Sequence, residues 1–241
     1  MNLSELAFSC FCYSRLTTNY DGSYLLFLQA TQPSIDLNKS DHRRALLKWL
    51  NQWGCRQFAI DYHDHASQKL LQWHNEFGDR MPLVNKNIWE LTDEDYKFIH
   101  TAYNSLVNCI ASLRHRNGTE IRVSFGPTGA AKILFAIRPN AFAPWDAPIR
   151  HSFQYDGSAD SYVCFLKKVN QELQQIKPTC EANGFSLTEL PTRLYRKSSV
   201  PKLIDEYYYS KRLSKEYLSI NRQDYLKLLA SGDMISIKEE L

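Results

Sequence analysis

Apolar residues recur at helical spacing in several long segments of this chain, and this periodicity constrains the fold more than any other feature. Side chains three and four positions apart lie on one face of an α-helix, so each such segment has a face that must be buried. We therefore predict a mainly α-helical fold with at most a few short strands. The pattern is found in residues 42–53, 64–77, 92–113, 158–176, 201–207 and 221–229.

Capping residues, glycines and prolines predict where these helices begin and end. Thr92 and Asp95 have the spacing of a capping box, with Asp in place of the usual Glu or Gln. The long helix that they open is expected to continue to Asn117-Gly118, because glycine commonly ends helices. A later helix should begin near Ser158 and end before Pro178, since the residue that precedes a proline avoids helical geometry.

Composition narrows the class of protein. The 241 residues, 44% of them apolar, suffice for one domain or two intimate lobes. The longest apolar runs are far shorter than the roughly 20 residues that a bilayer span needs, and the first residues lack the basic region of a signal peptide. We therefore expect a cytoplasmic protein that does not contact a membrane. A formal net charge of +3 permits a polyanionic partner but does not require one.

Metal chemistry is weakly supported by the sequence. The six cysteines form no zinc-type Cys-x-x-Cys pair, which indicates reduced, buried thiols. The segment Asp61-Tyr62-His63-Asp64-His65 contains metal-ligand residue types and would fit a metal hydrolase, but its spacing matches no common site. We expect no metal and no other cofactor.

The residues from Phe125 to Lys132 have the composition of a tight turn that leads into a helix. Gly126, Thr128 and Gly129 lie there among other small residues, directly before the apolar segment Ile133–Ile137. The first turn of a helix presents unpaired N–H groups and a partial positive charge, both of which suit a phosphate. The same pattern also fits a helix start that binds no ligand.

Two prolines bracket Trp145-Asp146. Pro144 and Pro148 restrict the backbone and predict an extended approach to another helix. Asp146 is then the predicted N-cap of that helix. Capping alone stabilises a helix by about 1 kcal/mol, so an aspartate here does not require a further function.

The order of a glycine hairpin, a helix and an aspartate resembles the helix-hairpin-helix DNA glycosylases, in particular the 8-oxoguanine glycosylase-like branch and related bacterial proteins. In that family the hairpin binds a DNA phosphate, and the aspartate serves the scissile N-glycosidic bond. Carried over by position, Gly126 and Gly129 correspond to the hairpin glycines and Asp146 to the catalytic aspartate. The resemblance implies a two-lobed helical fold, double-stranded DNA as the partner and a monomeric enzyme. It extends to residues 48–56, 131–134, 142–146 and 203–207.

Two differences from the family pattern bear on the reaction. The glycines are three residues apart here and two apart in the family. Bifunctional members carry a lysine that attacks the sugar two residues after the second glycine, where this chain has Ala131. Lys132 stands one step further, roughly 100° around the helix. We therefore expect a monofunctional glycosylase, with Lys132 as a second catalytic candidate, a phosphate contact or simply a solvated lysine.

The implied reaction assigns roles to the remaining candidates. Breaking an N-glycosidic bond develops positive charge on the deoxyribose, which an ionised carboxylate at Asp146 would stabilise. The target nucleotide must first flip out of the duplex at a cost of a few kcal/mol. Trp145, Tyr155 and Tyr208 are the candidates that would receive the flipped base, although each also fits core packing.

Basic residues near the predicted site suit the DNA backbone. Arg150 and His151 follow Asp146, and Arg196 lies in a polar stretch that spans residues 183–200. Arg114-His115-Arg116 fits a further DNA contact, and it fits equally well the end of a helix, where cations are favoured.

The expected organisation is a single two-lobed domain that spans residues 1–241. Residues 92–157 would form the hairpin-containing lobe, and residues 1–91 with 158–241 the second lobe. The resemblance implies base-excision repair or antiviral defence, in which such enzymes remove hypermodified bases, for example glucosylated hydroxymethylcytosine, from phage DNA. The alternative is a non-catalytic nucleic-acid-binding or scaffolding protein in which Asp146 is only a helix cap.

Overall fold

The computed structural model describes residues 1–55, 59–116 and 118–231. Within these residues the chain forms eleven α-helices and one two-stranded antiparallel sheet, so the predicted mainly α-helical class is confirmed. In the described part of the chain no helix combines the length and the apolar character that a membrane span requires.

The order of the elements along the chain is as follows. The first helices are α1 (Leu3–Leu16), α2 (Thr18–Ala30), α3 (Ser40–Gln52), α4 (His63–Phe77) and α5 (Asp93–Asn108). The two strands are β1 (Ile110–Arg116) and β2 (Thr119–Ser124). The remaining helices are α6 (Gly126–Ile137), α7 (Ala147–Ser152), α8 (Ala159–Ala182), α9 (Leu190–Arg193), α10 (Val200–Ser210) and α11 (Lys215–Ser231). Short 3₁₀ turns occur at Ile60–Tyr62, Gly78–Arg80, Ile88–Glu90 and Leu187–Glu189.

The chain divides into two compact units. One unit consists of residues 1–18 with 166–241, and the other consists of residues 19–165. These boundaries differ from the lobes expected from the sequence, because residues 19–91 belong to the unit that contains α6. The reason is packing, since α3 contacts α6 and α4 contacts both α5 and β1.

The unit formed by residues 1–18 and 166–241 is built around the contact of α1 with α10. Asn2 and Glu5 form a capping box that starts α1, which the sequence analysis did not anticipate. Apolar side chains of α1 such as Leu3 and Leu6 are fully buried. Helix α11 also packs on α1 and is longer than the short C-terminal helix expected from the sequence.

An aromatic cluster forms part of the core of the unit that spans residues 19–165. The rings of Trp49 and Trp53 on and after α3 lie 4.5 Å apart between their centroids. Tyr24 of α2 and Phe135 of α6 contact both of them. Aromatic side chains bury large areas, and such pairs add about 0.5–1.5 kcal/mol beyond the area effect. The cluster therefore holds α2, α3 and α6 together.

Helix α5 begins where the sequence predicts and ends earlier. The capping box is confirmed, because the Asp95 amide donates to the Thr92 hydroxyl over 3.2 Å and the Thr92 amide donates to the Asp95 carboxylate over 2.7 Å. The helix ends at Asn108, however, and the chain continues as β1 and β2. The prediction of one helix up to Gly118 was wrong because the sequence Asn-Gly is also a strong hairpin signal. Gly118 has a positive φ of 76°, whereas Asn117 lies outside the described residues.

The end predicted for α8 was also wrong. The helix passes through Pro178 and ends at Ala182. A proline removes one backbone N–H and disturbs the preceding turn. Pro178 is exposed and only four residues from the helix end, so few contacts depend on that turn.

Candidate functional site

A glycine turn connects β2 to α6. Gly126 has a positive φ of 65°, which favours glycine, and Pro127 follows in the first turn of the helix. The predicted turn into a helix N-terminus is thus present. Because a strand precedes it, the turn is not a hairpin between two helices. Thr128 is partly exposed at this N-terminus, and Gly129 is a buried residue of the helix.

Asp146 is the N-cap of α7, as the sequence predicts. Its Oδ1 accepts a hydrogen bond of 2.9 Å from the amide of Ile149. Pro148 lies in the first turn of α7, where a missing N–H costs no helical hydrogen bond. Asp146 is partly exposed, and the cap fixes the direction of its carboxylate.

Arg150 connects α7 to the first turn of α6. Its Nη1 donates a hydrogen bond of 2.7 Å to Oγ1 of Thr128, and its guanidinium carbon lies 5.4 Å from the centre of the Trp145 ring. Burial lowers the pKa of Arg150, while Tyr103 and Asp146 oppose this shift. Asp146, Arg150 and Thr128 are therefore brought together at the N-terminus of α6.

Trp145 is a core residue and not a base-stacking platform, which corrects the sequence-based assignment. The side chain is fully buried, and its Nε1 donates to the carbonyl of Pro127 over 3.2 Å. Its ring contacts Tyr162 and Phe165 at centroid distances of 5.1 and 5.3 Å. No flipped base can stack on the ring in this arrangement.

Tyr155 and His151 are the other candidates beside Asp146. Tyr155 is partly exposed, and its ring stacks on Phe153 at 5.5 Å with an interplanar angle of 14°. His151 is exposed on α7. Of the two base-pocket candidates in this unit, Tyr155 is the one that reaches the surface, and its ring centre lies 6.2 Å from that of Trp145, the neighbour of Asp146 in the chain.

Lys132 is buried, contrary to each of the three roles considered for it. Only 9% of the residue is exposed, and Nζ donates a hydrogen bond to the carbonyl of Trp53. The same nitrogen lies 5.3 Å from the centre of the Trp53 ring. The amine is therefore used inside the core, where it reaches neither a sugar nor a phosphate.

Arg196 and Tyr208 lie in the other compact unit and have partners there. Arg196 Nε and Nη2 donate to the two carboxylate oxygens of Glu206 over 3.0 and 2.9 Å, and Glu206 is fully buried. The hydroxyl of Tyr208 donates to Glu172 over 3.3 Å. The assignment of Arg196 as a DNA contact is corrected, because its guanidinium forms a bidentate ion pair within the protein.

Tyr103 and Gly157 support the site, although neither residue was predicted from the sequence. The Tyr103 hydroxyl is 3.2 Å from the carbonyls of both Pro127 and Gly157, and burial raises its pKa. Gly157 has a φ of 92°, and an added Cβ would lie 2.8 Å from Cγ of Pro127. An isolated glycine before a helix is a visible signal in the sequence, whereas a core tyrosine gives none.

The arrangement of the side chains does not support a metal hydrolase. Among the described residues, no group of three or more His, Cys, Asp and Glu side chains is arranged to hold an ion. The segment from Asp61 to His65 lies on a 3₁₀ turn and the first turn of α4. His63 Nε2 is 2.9 Å from the side-chain amide of Asn51.

No family model matches the chain, and no curated protein or solved structure shows significant similarity to it. Its chemistry has to be inferred from the site. A partly exposed carboxylate lies beside an arginine and a helix N-terminus, which combines one negative group with two positive ones. Such an arrangement can bind a phosphate and stabilise a cation that develops next to it.

Proposed function

We propose that this chain is a DNA N-glycosylase that excises a modified base, with Asp146 as the essential carboxylate. The observation that carries this proposal is the link from Asp146 through Arg150 to Thr128 in the first turn of α6. Glycosylases need an anion-binding element and a carboxylate at adjacent positions, since the phosphates lie next to the sugar whose bond breaks. The resemblance to helix-hairpin-helix glycosylases supplies the reaction type, and it remains part of the proposal.

The first turn of α6 is proposed to bind a DNA phosphate. The start of this 12-residue helix carries a partial positive charge. Gly126 and Thr128 have backbone N–H groups in its first turn, whereas Pro127 has none and the amide of Phe125 already donates to Cys109. Gly126 lets the backbone approach a ligand closely because it lacks a side chain. Arg150 adds a positive charge to the same place and therefore favours a negatively charged partner.

Asp146 is proposed to stabilise the sugar cation and to orient the attacking water. As the N-glycosidic bond breaks, its electron pair leaves with the base and positive charge develops at the anomeric carbon. The oxygen of a water molecule then bonds to that carbon, and the base carries away a proton. An ionised carboxylate held in place by the α7 cap stabilises the charge without having to reorganise.

The proposed enzyme is monofunctional. A lyase step needs a free amine that can attack the sugar, whereas Lys132 Nζ is buried against the carbonyl of Trp53. Tyr155 is the proposed receptor of the flipped base, because base–aromatic stacking stabilises unpaired bases. We propose double-stranded DNA as the partner of a cytoplasmic monomer, in repair or in defence against phage DNA with hypermodified bases.

A non-catalytic DNA-binding protein is the second candidate function. It is favoured by the hydrogen bond between Asp146 and the amide of Ile149, since a capping role alone accounts for an aspartate at that position. In that case the first turn of α6 and Arg150 would still bind phosphate. The two candidates therefore differ in base excision and agree in DNA binding.

The experiment that separates them measures base release from a panel of DNAs. The protein is incubated with unmodified DNA and with phage DNAs that carry hydroxymethylated or glucosylated bases. Abasic sites are quantified with an aldehyde-reactive probe, and released bases are identified by mass spectrometry. We expect both products from at least one modified DNA. If every DNA that the protein binds stays intact, the non-catalytic candidate is the better account.

A further inference from the structure

Strands β1 and β2, here called the ribbon, form an antiparallel pair with a packed base and an exposed outer end. At the base, the amide of Phe125 donates to the carbonyl of Cys109 over 3.0 Å, and Ala111 and Ser112 are fully buried. Strand β1 packs against α4. Towards the outer end, Arg114 and residues 118–122 are exposed. The outer part of the ribbon is therefore open to solvent.

The ribbon carries a net positive charge. Its sequence contains three arginines and one glutamate, so its formal charge is +2. Arg114 and Arg122 are exposed and form no ion pair or hydrogen bond with any side chain that the structure describes. Cations that have no carboxylate partner at the surface favour a polyanionic ligand.

The register places these two arginines on opposite faces of the ribbon. Leu113 pairs with Arg122, and Arg114 pairs with Ile121. Residues that pair directly across two strands share a face, and successive residues of a strand point to opposite faces. Arg122 therefore projects from one face and Arg114 from the other.

We propose that the ribbon is a duplex-DNA contact that enters the major groove and directs one arginine to each phosphate wall. Two paired strands are about 4.8 Å apart. The major groove of B-form DNA, about 12 Å wide, admits a two-stranded ribbon with its side chains. The major groove of A-form RNA is too narrow and deep for this fit. The contact is to phosphates and therefore has no base preference of its own.

This inference deepens the proposed function and rests on its DNA partner, but it concerns binding and not base release. The ribbon leads through Phe125 directly into the glycine turn of α6. Both elements belong to the unit of residues 19–165. The groove contact would hold the duplex while the first turn of α6 engages the backbone.

The test compares two double variants of the full chain by fluorescence anisotropy with a short unmodified DNA duplex. Arg114→Gln with Arg122→Gln removes the two ribbon charges. Lys39→Gln with Lys48→Gln removes two exposed charges at the start and on the surface of α3 and is the control. Each phosphate contact contributes about 0.9 to the slope of log affinity against log salt, so the ribbon variant should lower the slope by about 2 and weaken binding at least about tenfold. The control should keep the wild-type slope.

The outcomes distinguish this inference from the proposed function. Equal losses in the two double variants, or tighter binding to a matched RNA duplex than to DNA, would overturn the ribbon contact. If the ribbon variant keeps full DNA affinity and still excises bases, the ribbon contact fails and the glycosylase stands. If the ribbon variant loses affinity while the wild type releases no base from any DNA of the panel, the ribbon contact stands and the glycosylase fails. Thermal melting followed by circular dichroism checks that both double variants remain folded.

Discussion

Arg150 donates a hydrogen bond of 2.7 Å to the hydroxyl of Thr128 and thereby joins α7 to the first turn of α6. Asp146 caps the same short helix from its N-terminus. A helix of six residues has little stability of its own, so its position depends on such tertiary contacts. The carboxylate proposed for catalysis is therefore placed by a contact one helical turn away.

A double-mutant cycle should detect this contact. Thr128→Val and Arg150→Met each remove one side of the hydrogen bond, and we expect a coupling of about 1 kcal/mol in the free energy of unfolding. Urea denaturation of the wild type, both single variants and the double variant measures it. Thr128→Val combined with Lys48→Met is the control, and its effects should add. Additive effects in the Arg150 cycle would show that the contact does not hold α7.

Lys132→Met should retain base excision. The amine of Lys132 is hydrogen-bonded to the Trp53 carbonyl inside the core, so a side chain of similar length can replace it without removing a reacting group. Abasic-site formation is the measurement. Borohydride trapping on the same DNA is a second measurement, because borohydride captures the imine that an attacking lysine forms with the sugar. A trapped adduct that disappears in Lys132→Met would contradict the monofunctional assignment.

Glu206→Gln should strongly destabilise the unit of residues 1–18 and 166–241. Glu206 is fully buried and accepts hydrogen bonds from Arg196, and Lys202 Nζ is 3.7 Å away from its Oε1. Removal of one partner from a buried ion pair costs about 3–5 kcal/mol, because the remaining charge stays buried without compensation. Chemical denaturation measures the loss.

The control for this prediction is Glu181→Gln. Glu181 and Lys177 form an exposed pair at 3.8 Å, and such pairs contribute about 0–1 kcal/mol. The two substitutions make the same chemical change, so the difference in unfolding free energy isolates the effect of burial. Equal, small losses would mean that the ion pair of Arg196 and Glu206 does not stabilise the unit.

Asp95→Asn should reduce the acid sensitivity of the fold. Burial alone would raise the pKa of Asp95, but hydrogen bonds from Lys86 and Thr92 outweigh it and lower the pKa. A carboxyl with a lowered folded pKa stabilises the protein above its unfolded pKa of about 3.9, and this stabilisation is lost as the pH falls through the folded pKa. Denaturation curves at several pH values measure this effect. As the pH falls through this range, the free energy of unfolding of the wild type should decrease more than that of Asp95→Asn.

Asp93→Asn is the control for the pH experiment. Asp93 is exposed in the same turn of α5 and carries none of the hydrogen bonds that hold Asp95. The Asp93→Asn variant should therefore keep the acid sensitivity that arises from Asp95. If the two variants lose stability with falling pH to the same degree as the wild type, the capping box does not contribute to acid unfolding.

Features that depend on neighbouring residues could be predicted from the sequence. The capping box of Thr92 and Asp95 and the N-cap at Asp146 each require contacts only three residues away, so their chemistry is visible locally. The mainly helical class follows from the spacing of apolar residues. These predictions succeed because local hydrogen bonds and burial of one helix face favour the same structure.

Features that depend on distant partners could not be predicted. The buried positions of Lys132 and Trp145 arise from contacts with Trp53 and Tyr103, which lie tens of residues away in the chain. The apolar residues Ile110 and Leu113 continue the helical spacing of α5, yet the chain pairs β1 with β2 instead. In each case the tertiary environment, and not the local pattern, determines the structure.

The catalytic role of Asp146 is tested most directly by the rate of abasic-site formation in Asp146→Asn, measured under single-turnover conditions on a DNA from which the wild type releases a base. Asparagine caps a helix about as well as aspartate, so the variant should remain folded and bind DNA. Loss of the charge should lower the rate by about 100-fold or more, because electrostatic stabilisation at the reacting centre is lost. Asp146→Ala separates capping from charge and should lose about 1 kcal/mol of stability as well. A rate in Asp146→Asn equal to that of the wild type would contradict the assignment of Asp146 as the catalytic carboxylate.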